Sequence, residues 1–127
     1  MKKNILIVDD SPTLRASVTF VLVGAGYNVF QADNGETGLQ KLEELRKKGE
    51  RVHLVICDIN MPKMNGLEFL KIVKEQDSLY KFIPVIILTT EREVTLKEQG
   101  RQYKAAGWMT KPYKPDLLLS VIKKFIR

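Results

Sequence analysis

The sequence predicts an α/β fold: one doubly wound parallel sheet of five strands built from (βα)5 units. Three observations predict it. Short, continuously apolar runs recur along the chain, too short for helices and apolar on consecutive positions, as strands buried on both faces are. Between them lie segments with helical spacing of apolar residues. Each strand-like run ends in polar or turn-forming residues, and the connections are short, which implies parallel pairing with right-handed crossovers.

The elements follow in order. Lys3 to Val8 is an apolar run ending at Asp9-Asp10. Ser11-Pro12 then starts a helix, with a hydroxyl cap and a proline at the first helical position. Leu14, Val18, Val21, Leu22 and Ala25 form its predicted inward face, and Gly26 stops it. Tyr27 to Ala32 is a short strand, and Asn34-Gly35 turns the chain into a second helix with Leu39, Leu42 and Leu45 inward. Gly49 ends that helix. Val52 to Cys57 is the third strand, interrupted only by His53, and Asp58 follows it directly. Pro62 cannot join a sheet ladder and holds Met61 extended, and Asn65-Gly66 turns into a third helix ending near Glu75. Leu67, Leu70 and Val73 are its apolar face. Pro84 to Leu88 is a fourth strand running into Thr89-Thr90-Glu91. A weaker helix spans roughly Glu93 to Ala106, with Gly100 in its middle and few apolar positions. Gly107 to Thr110 is the fifth strand, broken by Lys111-Pro112. Pro115 opens the last helix, with Leu117, Leu118, Val121, Ile122 and Phe125 toward the core.

Composition narrows the function classes. The 127 residues suffice for one domain with its own core. The lone cysteine, Cys57, excludes an internal disulfide and reads as a small core residue within a strand. No apolar run approaches a membrane span and no leader-like stretch follows Met1, so a cytoplasmic protein without membrane insertion is expected. The net charge of +6 is spread along the chain, with clusters only at Arg46-Lys47-Lys48 and Lys123-Lys124. No zinc-finger, basic-zipper or RNA-recognition spacing accompanies it, so a solvated basic surface is expected and nucleic acid is not.

Function is concentrated at strand ends. In a parallel sheet the carboxyl ends share one edge, where open α/β sheets bind ligands. Strand one delivers Asp9 and Asp10 there, strand three Asp58, strand four Thr89 and strand five Lys111. Asp58 is expected to face solvent over a polar loop. Taken singly, each has an ordinary reading: Asp9-Asp10 as a helix start, Asp58 as a turn residue, Thr89 as structural, Lys111 as a surface lysine. Their coincidence at one edge argues for chemistry. Three neighbouring carboxylates repel unless a cation lies between them, and oxygen ligands suit Mg2+. A carboxylate can also accept a phosphoryl group, a reaction that needs mainly positioning and charge stabilisation. Lys111 offers positive charge and Thr89 a hydroxyl for the phosphoryl oxygens.

Asp9-Asp10-Ser11, the run Asp58-Ile59-Asn60-Met61-Pro62-Lys63-Met64-Asn65-Gly66, Thr89 and Lys111-Pro112 together resemble the signature of the response-regulator receiver domain, across residues 1–127. The type is similar to the chemotaxis regulator CheY. The resemblance implies the flavodoxin-like strand order 2-1-3-4-5 and a phospho-switch in two-component signal transduction. Asp58 would accept the phosphoryl group from a sensor histidine kinase. Asp10 and Asp58 would bind Mg2+ directly, Asp9 through water, and the Asn60 backbone carbonyl would complete the protein ligands. Thr89 and Lys111 would contact the phosphoryl group, Thr89 and Trp108 would act as the switch pair, and the Lys111–Pro112 bond is often cis in the family.

Asn60 and Glu91 fall where the family tunes dephosphorylation, and these residue types favour a short-lived phosphorylated state. Three departures bear on this: Trp108 stands where Tyr or Phe is usual, Thr90 where Ala or Gly is, and Tyr113 where Phe is. The chain is expected to catalyse only its own phosphorylation and dephosphorylation, and to carry no output domain. Its signal would pass by protein binding through the face of the 93–106 helix, the fifth strand and the last helix, in chemotaxis to a target such as the flagellar switch. The alternatives are a phosphorelay intermediate and a Mg2+-dependent phosphatase with an aspartate nucleophile. The phosphatase needs a second acid that Asp58-Ile59-Asn60 lacks. A further class is a binding module that has lost phosphorylation, against which the intact acidic trio argues.

Overall fold

A computed structural model of the chain describes residues 2–90, 98, 101 and 104–126. Five strands, β1 (Asn4–Val8), β2 (Asn28–Ala32), β3 (Leu54–Cys57), β4 (Val85–Thr89) and β5 (Gly107–Thr110), form one sheet. All pairings are parallel and the order is β2-β1-β3-β4-β5, as expected. The described helices are α1 (Pro12–Gly24), α2 (Gly35–Lys47), α3 (Gly66–Val73) and α4 (Pro115–Phe125). The expected helix from Glu93 to Ala106 falls largely on residues outside those described. No described helix is long and apolar enough to cross a membrane.

Strand residues alternate between two cores, and that alternation sorts the helices. Ile5, Ile7, Leu54, Ile56, Ile86 and Leu88 pack with Val18 and Leu22 of α1 and with Leu118 and Ile122 of α4. Leu6, Val8, Val55, Cys57, Val85 and Ile87 pack on the other face with Leu42 and Leu45 of α2 and with Leu67, Phe69, Leu70 and Val73 of α3. The central strands β1, β3 and β4 are buried on every residue, which is why their sequences show no alternation.

Local chemistry fixes the element ends. Ser11 accepts from the Leu14 N–H at 3.2 Å, with Pro12 opening α1. Asn34 with Thr37 and Asn65 with Glu68 form reciprocal caps for α2 and α3. β3 begins at Leu54, two residues later than expected, and α3 ends at Val73 rather than near Glu75. On the helices, periodicity overstated the core. Ala25, Leu117 and Phe125 are exposed, because apolar spacing marks a stripe wider than the strip that the sheet covers. Phe69, not among the predicted core positions of α3, is completely buried.

A methyl group at Gly66 would lie 1.9 Å from the Asp58 carbonyl oxygen. The loop after β3 is folded back so tightly that the Gly66 N–H donates to the Ile59 carbonyl at 2.9 Å. Gly66→Ala therefore forces backbone to move and should cost about 2–3 kcal/mol. Gly24→Ala, with open space around it, should be neutral or stabilise by up to about 0.5 kcal/mol. Urea unfolding of the two variants checks both signs.

At the opposite edge His53 Nδ1 accepts the Asn4 N–H at 3.0 Å, which a protonated ring cannot do. Burial, then the charges of Lys3 and Arg51, push the His53 pKa below its usual 6.5. Above that value the ring is neutral folded and unfolded. As pH falls below it, the unfolded chain takes up a proton that the folded chain refuses, and stability is lost. In His53→Asn the amide oxygen can still accept from Asn4 and nothing titrates. Between about pH 7.5 and pH 5.5 the wild type should lose more of its urea midpoint than this variant; equal losses would acquit the histidine.

Candidate functional site

Two ladder bonds beyond the strands build the site. The Asp9 N–H donates to the Ala32 carbonyl at 3.0 Å, and the Asp58 N–H to the Val8 carbonyl at 2.9 Å. Both acids are thereby carried one step past the sheet in its own register. A third bond, from the Lys111 N–H to the Thr89 carbonyl at 2.9 Å, sets the lysine after β5. The Lys111–Pro112 peptide is cis.

Lys111 Nζ donates to Asp9 Oδ2 at 2.9 Å and lies 3.4 Å from Asp58 Oδ2. One ammonium thus bridges two carboxylates that are otherwise nearly out of water. Asp58 is only 6% exposed, so the expectation that it faces solvent is corrected. The folded-back loop closes over it, and Oδ1 accepts the Ile59 N–H at 2.8 Å. Asp58 Oδ2 is the oxygen turned toward Lys111. Asp9 is buried as well; its Oδ1 accepts the Ser11 N–H at 2.8 Å. Burial raises the Asp9 pKa and the neighbouring charge of Asp58 pushes the same way, against the Ser11 N–H and Lys111. Asp10 is exposed at the rim.

Asp9, Asp10 and Asp58 each offer an oxygen within 4.8 Å of the others. The donors are hard, and an exposed acid at the rim leaves positions open to water, so the trio fits a small divalent cation such as Mg2+. Cys57 adds no soft ligand. Its Sγ donates to the Asp58 carbonyl at 3.2 Å, and burial, then Asp58 and Asp9, push its thiol pKa well up.

The remaining predicted residues are placed as follows. Thr89 is fully buried at the end of β4, and Asn60 is exposed on the loop after Asp58. Trp108, on β5, is partly buried against the core shared with α2 and α3, with its Nε1 buried and unpartnered among the described residues. Glu91 lies outside the described residues. Tyr113 reaches across to α1, its hydroxyl 2.6 Å from Ser17 Oγ.

Arg15 was missed. Its guanidinium donates to the Asp9 carbonyl at 2.6 Å and to Gln31 Oε1 at 3.0 Å, tying the acidic turn to α1 and β2. The available signal was a cation on the fourth residue of a helix, where the helix dipole disfavours it unless an acceptor waits there.

Comparison with known proteins agrees with the fold. Residues 5–123 match the family model of the response regulator receiver domain. The chain is 36% identical to Protein PilH of Pseudomonas aeruginosa, over 93% of each chain. It is 36% identical to Sporulation initiation phosphotransferase F of Bacillus subtilis, over 99% of this chain and 95% of that one. The chain spans about half the length of other relatives, among them the alkaline phosphatase synthesis transcriptional regulatory protein PhoP of Bacillus subtilis, 32% identical over 100% of this chain and 50% of that one. Among solved structures, chemotaxis protein CheY4 of Vibrio cholerae superposes with a TM-score of 0.88 at 37% identity, covering 99% of this chain and all of that one. The chain belongs to the response regulator receiver domain family.

Proposed function

We propose that this receiver is a phospho-switch in which Asp58 accepts a phosphoryl group from the phosphohistidine of a sensor kinase. The observation that carries the reading is the Lys111 ammonium held against Asp9 and Asp58 at 2.9 and 3.4 Å. In the reaction Asp58 Oδ2 attacks phosphorus, the phosphorus–nitrogen bond to the histidine breaks, and an acyl phosphate forms on the aspartate. The Ile59 N–H keeps Oδ1 engaged and so orients Oδ2 for attack. Lys111 meets the incoming phosphoryl oxygens, with the Thr89 hydroxyl as a second donor. Asp9, Asp10, Asp58 and the Asn60 backbone carbonyl would hold Mg2+, which when bound neutralises charge on the phosphoryl oxygens. The chain on this reading catalyses only its own phosphorylation and dephosphorylation.

The signal then passes through Thr89 and Trp108. Phosphorylation draws Thr89 toward the phosphoryl group and biases β5 and α4 toward binding a protein target. The likeness to CheY4 favours chemotaxis, with the flagellar switch as a candidate target. The likeness to a sporulation phosphotransferase favours a second reading, a phosphorelay intermediate. Asn60 and Glu91 set a short lifetime for the phosphorylated state.

Incubation with Mg2+ and acetyl phosphate should add one labile phosphoryl group per chain by intact mass, and none to Asp58→Ala. Sustained hydrolysis of the donor with no phosphoryl group retained on the chain would instead indicate a phosphatase. Lys111→Met should slow phosphorylation on the order of a hundredfold, the usual effect of deleting one donor to a developing negative charge. Beryllium fluoride with Mg2+ should change the emission of the lone tryptophan, Trp108, in the wild type only; the same change in Asp58→Ala sinks the proposal. Asn60→Lys should prolong the acyl phosphate, and an unchanged decay would remove Asn60 from the lifetime argument.

A further inference from the structure

Every polar atom of Asp9 is engaged. Its N–H donates to the Ala32 carbonyl at 3.0 Å, and its carboxylate oxygens accept the Ser11 N–H at 2.8 Å and the Lys111 ammonium at 2.9 Å. The remaining atom is the backbone carbonyl oxygen, which accepts from Arg15 Nη1 at 2.6 Å. That carbonyl belongs to the peptide joining Asp9 to Asp10. A peptide unit is planar, so holding its oxygen helps to fix where the Asp10 Cα leaves the turn. The three acids differ in support: Asp9 and Asp58 are buried, whereas Asp10 is exposed.

The guanidinium is in turn fastened from behind. Arg15 Nε donates to Gln31 Oε1 on β2 at 3.0 Å, and Gln31 Nε2 donates to Thr19 Oγ1 on α1 at 3.1 Å. A planar fork of donors thus reaches two acceptors at once, which a single ammonium on a flexible stem reproduces poorly. Its positive charge lies on the same turn as the acids. By electrostatics alone, then, Arg15 would weaken the hold of those acids on a divalent cation.

We infer that Arg15 is a positioning residue for the cation site. By holding the Asp9–Asp10 peptide it keeps an oxygen of the exposed Asp10 within 4.8 Å of oxygens on Asp9 and Asp58, and so strengthens Mg2+ binding in spite of its charge. The inference rests on the phospho-switch reading, which supplies the ion, and adds a residue that acts through the backbone rather than as a ligand. Charge and position predict opposite signs. Acting only as a nearby charge, Arg15 would give tighter Mg2+ binding when changed to methionine and unchanged binding when changed to lysine.

The test is a titration of the 15N-labelled chain with MgCl2, followed at the Asp10 and Asp58 amides. Arg15→Met should weaken Mg2+ binding about tenfold or more, the usual effect of deleting a group that orients a metal ligand, and Arg15→Lys should fall between it and the wild type. Gln31→Leu, an exposed change that keeps the guanidinium, should weaken binding by a smaller factor. In each variant half-maximal phosphorylation by acetyl phosphate should move to correspondingly higher Mg2+. Urea midpoints without Mg2+ report folding separately; a merely structural role would lower them and leave the Mg2+ constant of the folded chain unmoved. Unchanged or tighter binding in Arg15→Met overturns the inference. So does a Gln31→Leu constant equal to that of the wild type, which decides the matter should Arg15→Met not fold. A wild type without any Mg2+ response would instead sink the phospho-switch reading, and the inference with it.

Discussion

The contact on which this molecule depends is one ammonium shared between two buried carboxylates. Asp9 and Asp58 lie close enough for each to oppose the other's charge, and neither has much water to dilute the repulsion. Lys111, 102 residues from Asp9 along the chain, supplies the compensating charge. Such a triad adds little net stability, since desolvation consumes most of the attraction. Its meaning is geometric. Lys111 can leave Asp9 if another cation takes its place on the carboxylates or if a new anion draws it away, as a phosphoryl group on Asp58 would.

The sheet makes the triad possible, and the loops make it dry. Because every pairing is parallel, the ends of β1, β3 and β5 share an edge, and ladder bonds continuing past the strands hold Asp9, Asp58 and Lys111 in step. Gly66 lets the loop after β3 fold onto the Asp58 carbonyl, a closeness that any Cβ forbids. Arg15 clamps the Asp9 carbonyl from α1. The Ala32 carbonyl, Arg15 and Lys111 thus all restrain the turn that carries the adjacent Asp9 and Asp10.

The sequence revealed the strands and the edge residues because they are written in local chemistry: unbroken apolar runs, Asp-Asp, Thr89, and Lys111 before a proline. Order along the sheet was legible only through resemblance. Burial of Asp58 was not legible, since it depends on a loop returning over the site rather than on the residues beside the aspartate. The same applies to Leu117 and Phe125. Periodicity records that a residue is apolar and cannot record whether the sheet is wide enough to cover it. Arg15 left a faint trace as a cation at the wrong end of a helix, and a lone basic residue rarely decides anything.

The two edges of this sheet solve opposite problems with the same residue types. At the carboxyl edge Asp9 and Asp58 share the Lys111 ammonium, and Asp10 stands exposed at the rim. At the amino edge Glu43 and Glu44 on α2 are paired with Arg46 and Lys48, and Glu43 also takes the Tyr80 hydroxyl. Acids near one edge are thus answered largely within the chain, whereas the exposed Asp10 at the other leaves the acidic trio open to a cation.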